Sequence, residues 1–150
     1  APGIILILMA TSVKHIISQA GIMDTILHYA AENIAGRGPF TAVILIYIFV
    51  LFMNFFIGSA SAKAFLIMPI LTPLADLIGI NRQIAVLAFV FGDGFSNVIY
   101  PTNAVLLIGL GLTTVSYPKW FKWIMKLQIL IFLVTSVFLA IAMYVNYGPY

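Results

Sequence analysis

Apolar residues run along this chain in long blocks, and the polar ones gather in short islands between them. The first block, GIILILMATSVKHIISQA at 3–20, rises about 1.5 Å per residue as a helix and so covers most of a hydrocarbon core about 30 Å thick. It predicts a spanning helix, interrupted by Lys14 and His15. Residues 21–36, GIMDTILHYAAENIAG, place Ile22, Ile26, Tyr29 or Ala30 and Asn33 along one side and Asp24, His28 and Glu32 along another. A helix of that pattern is expected to lie in the membrane interface, ended by the glycines and proline of GRGPF at 36–40.

Two apolar arms follow, FTAVILIYIFVLFMNFFI at 40–57 and AFLIMPILTPLADLIGI at 64–80, joined by the polar tip GSASAK at 58–63. Pro69 and Pro73 loosen the second arm unless neighbours re-satisfy its backbone. By pattern alone the arms form either two spans or one re-entrant hairpin over 40–80, and in both cases the chain returns to the side it left. Residues 82–114 then alternate differently: an apolar run at 84–91, the polar island GDGFSNVIYPTN at 92–103, and a second apolar run at 104–112. Each run is too short to span alone and about right when added to the other, which predicts one broken transmembrane helix. The last element, 119–146, has an apolar centre from Ile124 to Met143, with Tyr117, Trp120 and Trp123 at one end and Tyr144, Tyr147 and Tyr150 at the other. Aromatic residues at both ends mark a spanning helix. The fold class is therefore an all-α membrane protein, a single transmembrane domain over 1–150.

Composition agrees. Of the 150 residues 63% are hydrophobic and 7% charged, with a mean hydropathy of +1.16, whereas soluble domains carry about 25% charged residues. Twelve Phe, seven Tyr and six Met would leave large apolar patches in water, so lipid is the fitting solvent. The net charge of +3 comes from residues near the ends of apolar runs; it serves lipid headgroups and topology and implies no nucleic acid. Arg37 and Arg82 share one side and Lys119, Lys122 and Lys126 the other, which puts the Lys119 loop in the cytoplasm under the positive-inside rule. The absence of cysteine excludes disulfides and thiolate metal sites.

The chemistry sits in the islands. Non-helical backbone at membrane depth survives only where it is buried in protein or lines a wet cavity. In the 92–103 island, Gly92 and Gly94 let the chain leave helical geometry and Pro101 removes a donor. A half-helix ending near Phe91 is expected to offer free carbonyls to a cation, and one starting near Thr102 free N–H groups to a carboxylate. Asp93 is a carboxylate at that depth, either a cap for its own loop or a cation ligand. Ser59 and Ser61 supply hydroxyls at the hairpin tip, and Gly58 permits close backbone approach. Lys63 beside them has three fates: pairing with an anionic solute, pairing with Asp93, or snorkelling to the interface. Asp24 and His28 have the spacing of a helical metal pair, but without a third ligand they read as a solvated face.

The segments GSASAKAFLIMPILTPLADLIGINRQ and FGDGFSNVIYPTNAVLLIGLGL together resemble the C-terminal half of the C4-dicarboxylate anaerobic carrier (DcuC/YfcC-like) family of the ion transporter superfamily, from about Ile22 to Trp123. The resemblance implies one half of an inverted-repeat transporter, and it turns the two arms into a re-entrant hairpin. It implies that Ser59, Ser61, Asn97, Thr102 and Asn103 bind substrate and that Asp93, Gly58 and Ser96 bind a coupling cation or carry a proton. It further implies a bacterial inner membrane, a homodimer in the full-length form, and an N-terminal half absent here, so that the chain is expected to be a piece of a longer protein. No cofactor is implied beyond Na⁺ as a coupling ion. Lys63 departs from the small residue that relatives place there.

Two functions follow. The first is the C-terminal half of a secondary active transporter for a small anionic or zwitterionic, carboxylate-bearing solute, a C4-dicarboxylate, short-chain fatty acid or amino acid, driven by a Na⁺ or H⁺ gradient. The second is a small accessory or assembly subunit whose polar residues are helix–helix glue. An enzyme is not expected: both histidines lie far upstream of Ser59 and Ser61, Val90 breaks a G-x-G-D run, and H-E-x-x-H is missing.

Overall fold

The computed structural model describes residues 19–148, together with Ser12 and Ile16. The expected spanning helix of 3–20 lies outside the described residues apart from Ser12, Ile16, Gln19 and Ala20, as do Lys14, His15 and Tyr150; the Asp24 side chain lies outside them too. The described residues form six α-helices and no strand: α1 (Ile22–Ala35), α2 (Pro39–Phe56), α3 (Ala60–Ile78), α4 (Arg82–Gly94), α5 (Ala104–Gly111) and α6 (Tyr117–Tyr144), with a 3₁₀ turn at Ser96–Val98 between α4 and α5. By length and composition α2, α3 and α6 are each capable of crossing a membrane.

Local chemistry explains the boundaries. Pro39 opens α2 at a first-turn position where its missing N–H costs nothing. Ser59 caps α3, its Oγ accepting from Ala62 N at 3.4 Å. That helix runs unbroken through Pro69 and Pro73 and stops at Gly79, whose φ of 76° is left-handed; Gly79 N and Ile80 N then close onto the carbonyls of Asp76 and Ala75. Asn81 caps α4 through Gln83 N at 2.9 Å, and its amide donates to Gly148 O at 3.0 Å, tying the C-terminal end to the start of α4. Arg82, expected as a topology anchor, makes a two-pronged pair with Asp76 at 2.6 and 2.7 Å.

The core is built around α2 and α4. Ala42, Val43, Ile46, Tyr47, Val50, Met53 and Asn54 form the buried stripe of α2, at helical spacing. Ile84, Ala85, Ala88, Phe89 and Gly92 form that of α4. The helices run parallel, because Gly92 lies against Tyr47 and Val50 while Asp93 and Ser96, further along, meet Asn54. A Cβ on Gly92 would lie 2.8 Å from both Val50 Cβ and Cγ1. Gly92 sits inside the helix, so its role is close approach rather than the conformational freedom read from the sequence. Helix α3 adds Ile67, Leu71 and Ala75, and α1 adds Ile34. The buried side of α1 therefore ends on Ile34 rather than on Asn33, and Tyr29 is exposed. His28 and Glu32 face out, 3.3 Å apart.

Helix α6 closes the bundle with Tyr47 OH 2.7 Å from Thr135 Oγ1 and Tyr47 stacked on Phe132 at 5.2 Å. Its other side leaves Leu130, Leu133, Val137, Phe138 and Ile141 more than half exposed. Such a face is stable against lipid and not against water. The molecule is a membrane protein on that ground and on its three apolar helices.

Candidate functional site

Between Gly94 and Ala104 the chain stops being a helix, and its backbone carbonyls need other partners. They have them. Ser96 Oγ donates to Gly92 O at 2.8 Å, Asn97 Nδ2 to Asp93 O at 3.0 Å, and Gln128 Nε2 to Phe95 O at 2.7 Å. Trp120 Nε1 donates to Val98 O at 2.9 Å and Tyr117 OH to Ile99 O at 2.7 Å. Tyr100 OH crosses to Leu51 O at 2.7 Å. The free carbonyls expected at the end of the first half-helix are thus already accepting from side chains. Tyr117 and Trp120, read from sequence as an interfacial belt, serve this break as well.

Its depth follows from α6. Twenty-eight residues make that helix about 42 Å long, some 12 Å longer than a hydrocarbon core. Gln128 lies about 17 Å from its start, so with the excess length at that lysine- and tryptophan-rich end the Phe95 carbonyl it holds is about 5 Å inside the apolar layer.

At this level three helix ends converge. The last turn of α2 brings Asn54, the first turn of α3 brings Lys63, and the last turn of α4 brings Asp93, followed by Ser96 and Asn97 of the 3₁₀ turn. The Lys63 ammonium, fully buried, donates to Asn54 Oδ1 and to Asp93 Oδ1, whose side chain is 14% exposed. Asn54 Nδ2 in turn donates to Ser96 Oγ and lies 3.3 Å from both Asp93 O and Asn97 Oδ1. Asn103 extends the network, its Nδ2 3.4 Å from Asn97 Oδ1. Of the three fates open to Lys63, pairing with Asp93 is the one adopted; it does not snorkel. A buried ammonium needs a paired counter-charge and further acceptors, and this cluster supplies both.

The expected residues divide. Asp93, Ser96, Asn97 and Asn103 come together here. Ser59 and Ser61 share the tip with Lys63 but are exposed, 3.3 Å from each other, and Ser59 is occupied as a cap. Gly58 is exposed with open space around it. Ser61 stands at one end of an open groove of about 550 Å³ that continues along Ala64, Phe65, Met68, Pro69 and Thr72 of α3. The second half-helix begins at Ala104, not at Thr102, and Asn103 caps it by accepting from Val105 N at 3.0 Å and Leu106 N at 3.3 Å. Two of the N–H groups expected to meet a carboxylate are therefore taken. Thr102 Oγ1 is buried and finds no hydrogen-bond partner among the described residues. Asn54 and Gln128 were not singled out from the sequence, although each is a rare polar residue in a long apolar helix, a signal in itself. No group of three His, Cys, Asp or Glu could hold a metal ion among the described residues.

Comparison with known proteins identifies the family. The family model described as C4-dicarboxylate anaerobic carrier, DcuC, matches residues 2–144. The protein named "Putative basic amino acid antiporter YfcC" of Escherichia coli (strain K12) is 45% identical over 118 residues, 79% of this chain and 23% of its own length. An uncharacterized protein of Haemophilus influenzae is 31% identical over 140 residues, 93% of this chain and 27% of its own. The chain thus spans about a quarter of these relatives' length, and no solved structure matches it. With most of its length matched and the helix break and hairpin tip lying within that match, this chain belongs to the C4-dicarboxylate anaerobic carrier (DcuC) family, a family of membrane transporters.

Proposed function

We propose that this chain is a C-terminal part, about a quarter of the length, of a secondary active transporter of an inner membrane, which moves a small carboxylate-bearing solute driven by a Na⁺ or H⁺ gradient or in exchange for another solute. The observation that carries the reading is the buried cluster of Lys63, Asp93 and Asn54, which joins a hairpin tip to a helix break inside the apolar layer. Buried charge of this kind in a membrane marks a solute or ion path. The α2–α3 tip lies level with the break, about three turns short of the start of α6, which supports a re-entrant hairpin rather than two spans. Alternating access then moves the hairpin and the broken helix against a scaffold that includes α6, with a second, inverted half completing the pocket.

The solute class rests on the family's C4-dicarboxylates and on the amino acid in the Escherichia coli relative's name, which share a carboxylate. Thr102 Oγ1, buried and unpaired, is the donor best placed to receive it, with the exposed hydroxyls of Ser59 and Ser61 at the rim. Uptake by the full-length protein in proteoliposomes, with a panel of labelled dicarboxylates, short fatty acids and amino acids, tests the reading. Gradient-dependent uptake or exchange of at least one is expected; none for the whole panel refutes it.

Helix–helix glue has its own support, since side chains satisfy most of the break's carbonyls. The readings part on conservative changes at Asn97 and Thr102. A transport site loses uptake at an unchanged membrane level, whereas glue loses the protein first.

A further inference from the structure

Lys63 is the feature that a transport site of this outline does not itself require. Its ammonium lies between an Asn54 amide oxygen and an Asp93 carboxylate oxygen, fully buried, where the tip of one element meets the end of another. A carboxylate and an amide oxygen at a helix break are the ligands that a mobile monovalent cation would use. Here a cation is already present, delivered by the chain through a four-carbon stem. The nearby carbonyls of Gly92, Asp93 and Phe95 accept from Ser96, Asn97 and Gln128, which further commits this break to protein donors. The titratable group facing Lys63 from α4 is Asp93; α2 contributes Asn54 and the 3₁₀ turn Ser96 and Asn97, none of which titrates near neutrality, and from α6 it is Gln128 that reaches the break. The side chains of His28 and Glu32 on α1 face outward, 3.3 Å from each other.

We propose that Lys63 is a tethered counter-cation: its ammonium occupies the coupling-cation position at Asp93 and Asn54, so that in this conformation the site holds a primary ammonium group and no alkali ion. The proposal rests on the transporter reading and deepens it by naming what fills its cation site, which in this conformation leaves no place for Na⁺ at these residues.

Truncating the tether tests it. Lys63→Ala removes three methylenes and the ammonium, the shape of n-propylammonium, and leaves Asp93 without its partner. The full-length protein in detergent is melted in choline chloride, sodium chloride and n-propylammonium chloride at one ionic strength. The unaltered protein is expected to melt at the same temperature in sodium and choline. Lys63→Ala is expected to melt lower in choline and to recover, saturably, with n-propylammonium. The double variant Lys63→Ala with Asp93→Asn is expected to show no amine response. Stabilisation of the unaltered protein by sodium over choline overturns the proposal, as does an amine response in the double variant equal to that in Lys63→Ala. Should Lys63→Ala not fold, Lys63→Arg, which keeps the charge, is compared in the same salts, and a sodium dependence there overturns it equally. These melts do not depend on which solute is carried, so failure of the uptake panel and failure of this proposal are read separately.

Discussion

Replacing Gly92 with alanine adds one carbon to the face of α4 that lies on α2. That carbon would sit 2.8 Å from Val50 Cβ and Cγ1 and 3.1 Å from the Tyr47 carbonyl oxygen. Ordinary contact begins near 3.4 Å, so the helices must part by roughly 0.6 Å or more, because neither a Cβ nor a backbone oxygen can swing aside as a flexible side chain would. Overpacking of this kind costs about 1–3 kcal/mol, set against about 1 kcal/mol gained from the better helix propensity of alanine. Gly94, half a turn on, has nothing within 4 Å of an added Cβ and lacks a positive φ, so its alanine gains the propensity without the clash. The two variants are expected to differ by about 1–3 kcal/mol, Gly94→Ala being the more stable. The damage at Gly92 also reaches the site, because Asn54 and Asp93 meet one turn beyond the contact. Denaturant unfolding of the two full-length variants in one detergent measures the difference, and uptake by each reads the effect on function. If Gly92→Ala is as stable as Gly94→Ala, the close approach of α2 and α4 is refuted.

Asp93→Asn leaves a buried ammonium without its counter-charge and should destabilise by about 3–5 kcal/mol, with much of that loss recovered when Lys63→Met is added; a double-mutant cycle of unfolding free energies showing additivity would contradict the pair. Thr102→Val keeps the shape and removes an unsatisfied hydroxyl, so stability should hold or rise by about 1 kcal/mol while solute uptake falls; a loss of stability would mean that the hydroxyl has a structural partner.

The elements were legible because membrane helices write their lengths directly into apolar runs. The helix ends at Phe56 and Gly94 and the restarts at Ala60 and Ala104 fall at or beside the polar islands of 58–63 and 92–103. What pattern could not give was the direction of side chains at helix ends. The sequence leaves three fates open for Lys63, and only the meeting of α2, α3 and α4 turns it inward. Gly92 reads in the sequence as a point of backbone freedom, and only the packing of α4 on α2 shows it to be a contact. Asn54 and Gln128 were overlooked as single polar letters in apolar helices, yet tertiary packing makes each a partner for the break. Asn103 also has a local role that the sequence reading did not give it, since its side-chain oxygen caps its own helix.

Lys63 and Asp93 also bear on the electrical behaviour of the carrier. Both belong to the elements that, in the mechanism proposed above, travel together, α3 and α4. A single charge carried across the full membrane has work done on it of about 2.3 kcal/mol per 100 mV, enough to hold an unpaired Asp93 on one side. Because the pair sums to zero, membrane voltage exerts no net force on it. In that proposed mechanism the pair therefore adds no voltage dependence of its own to the movement of α3 and α4.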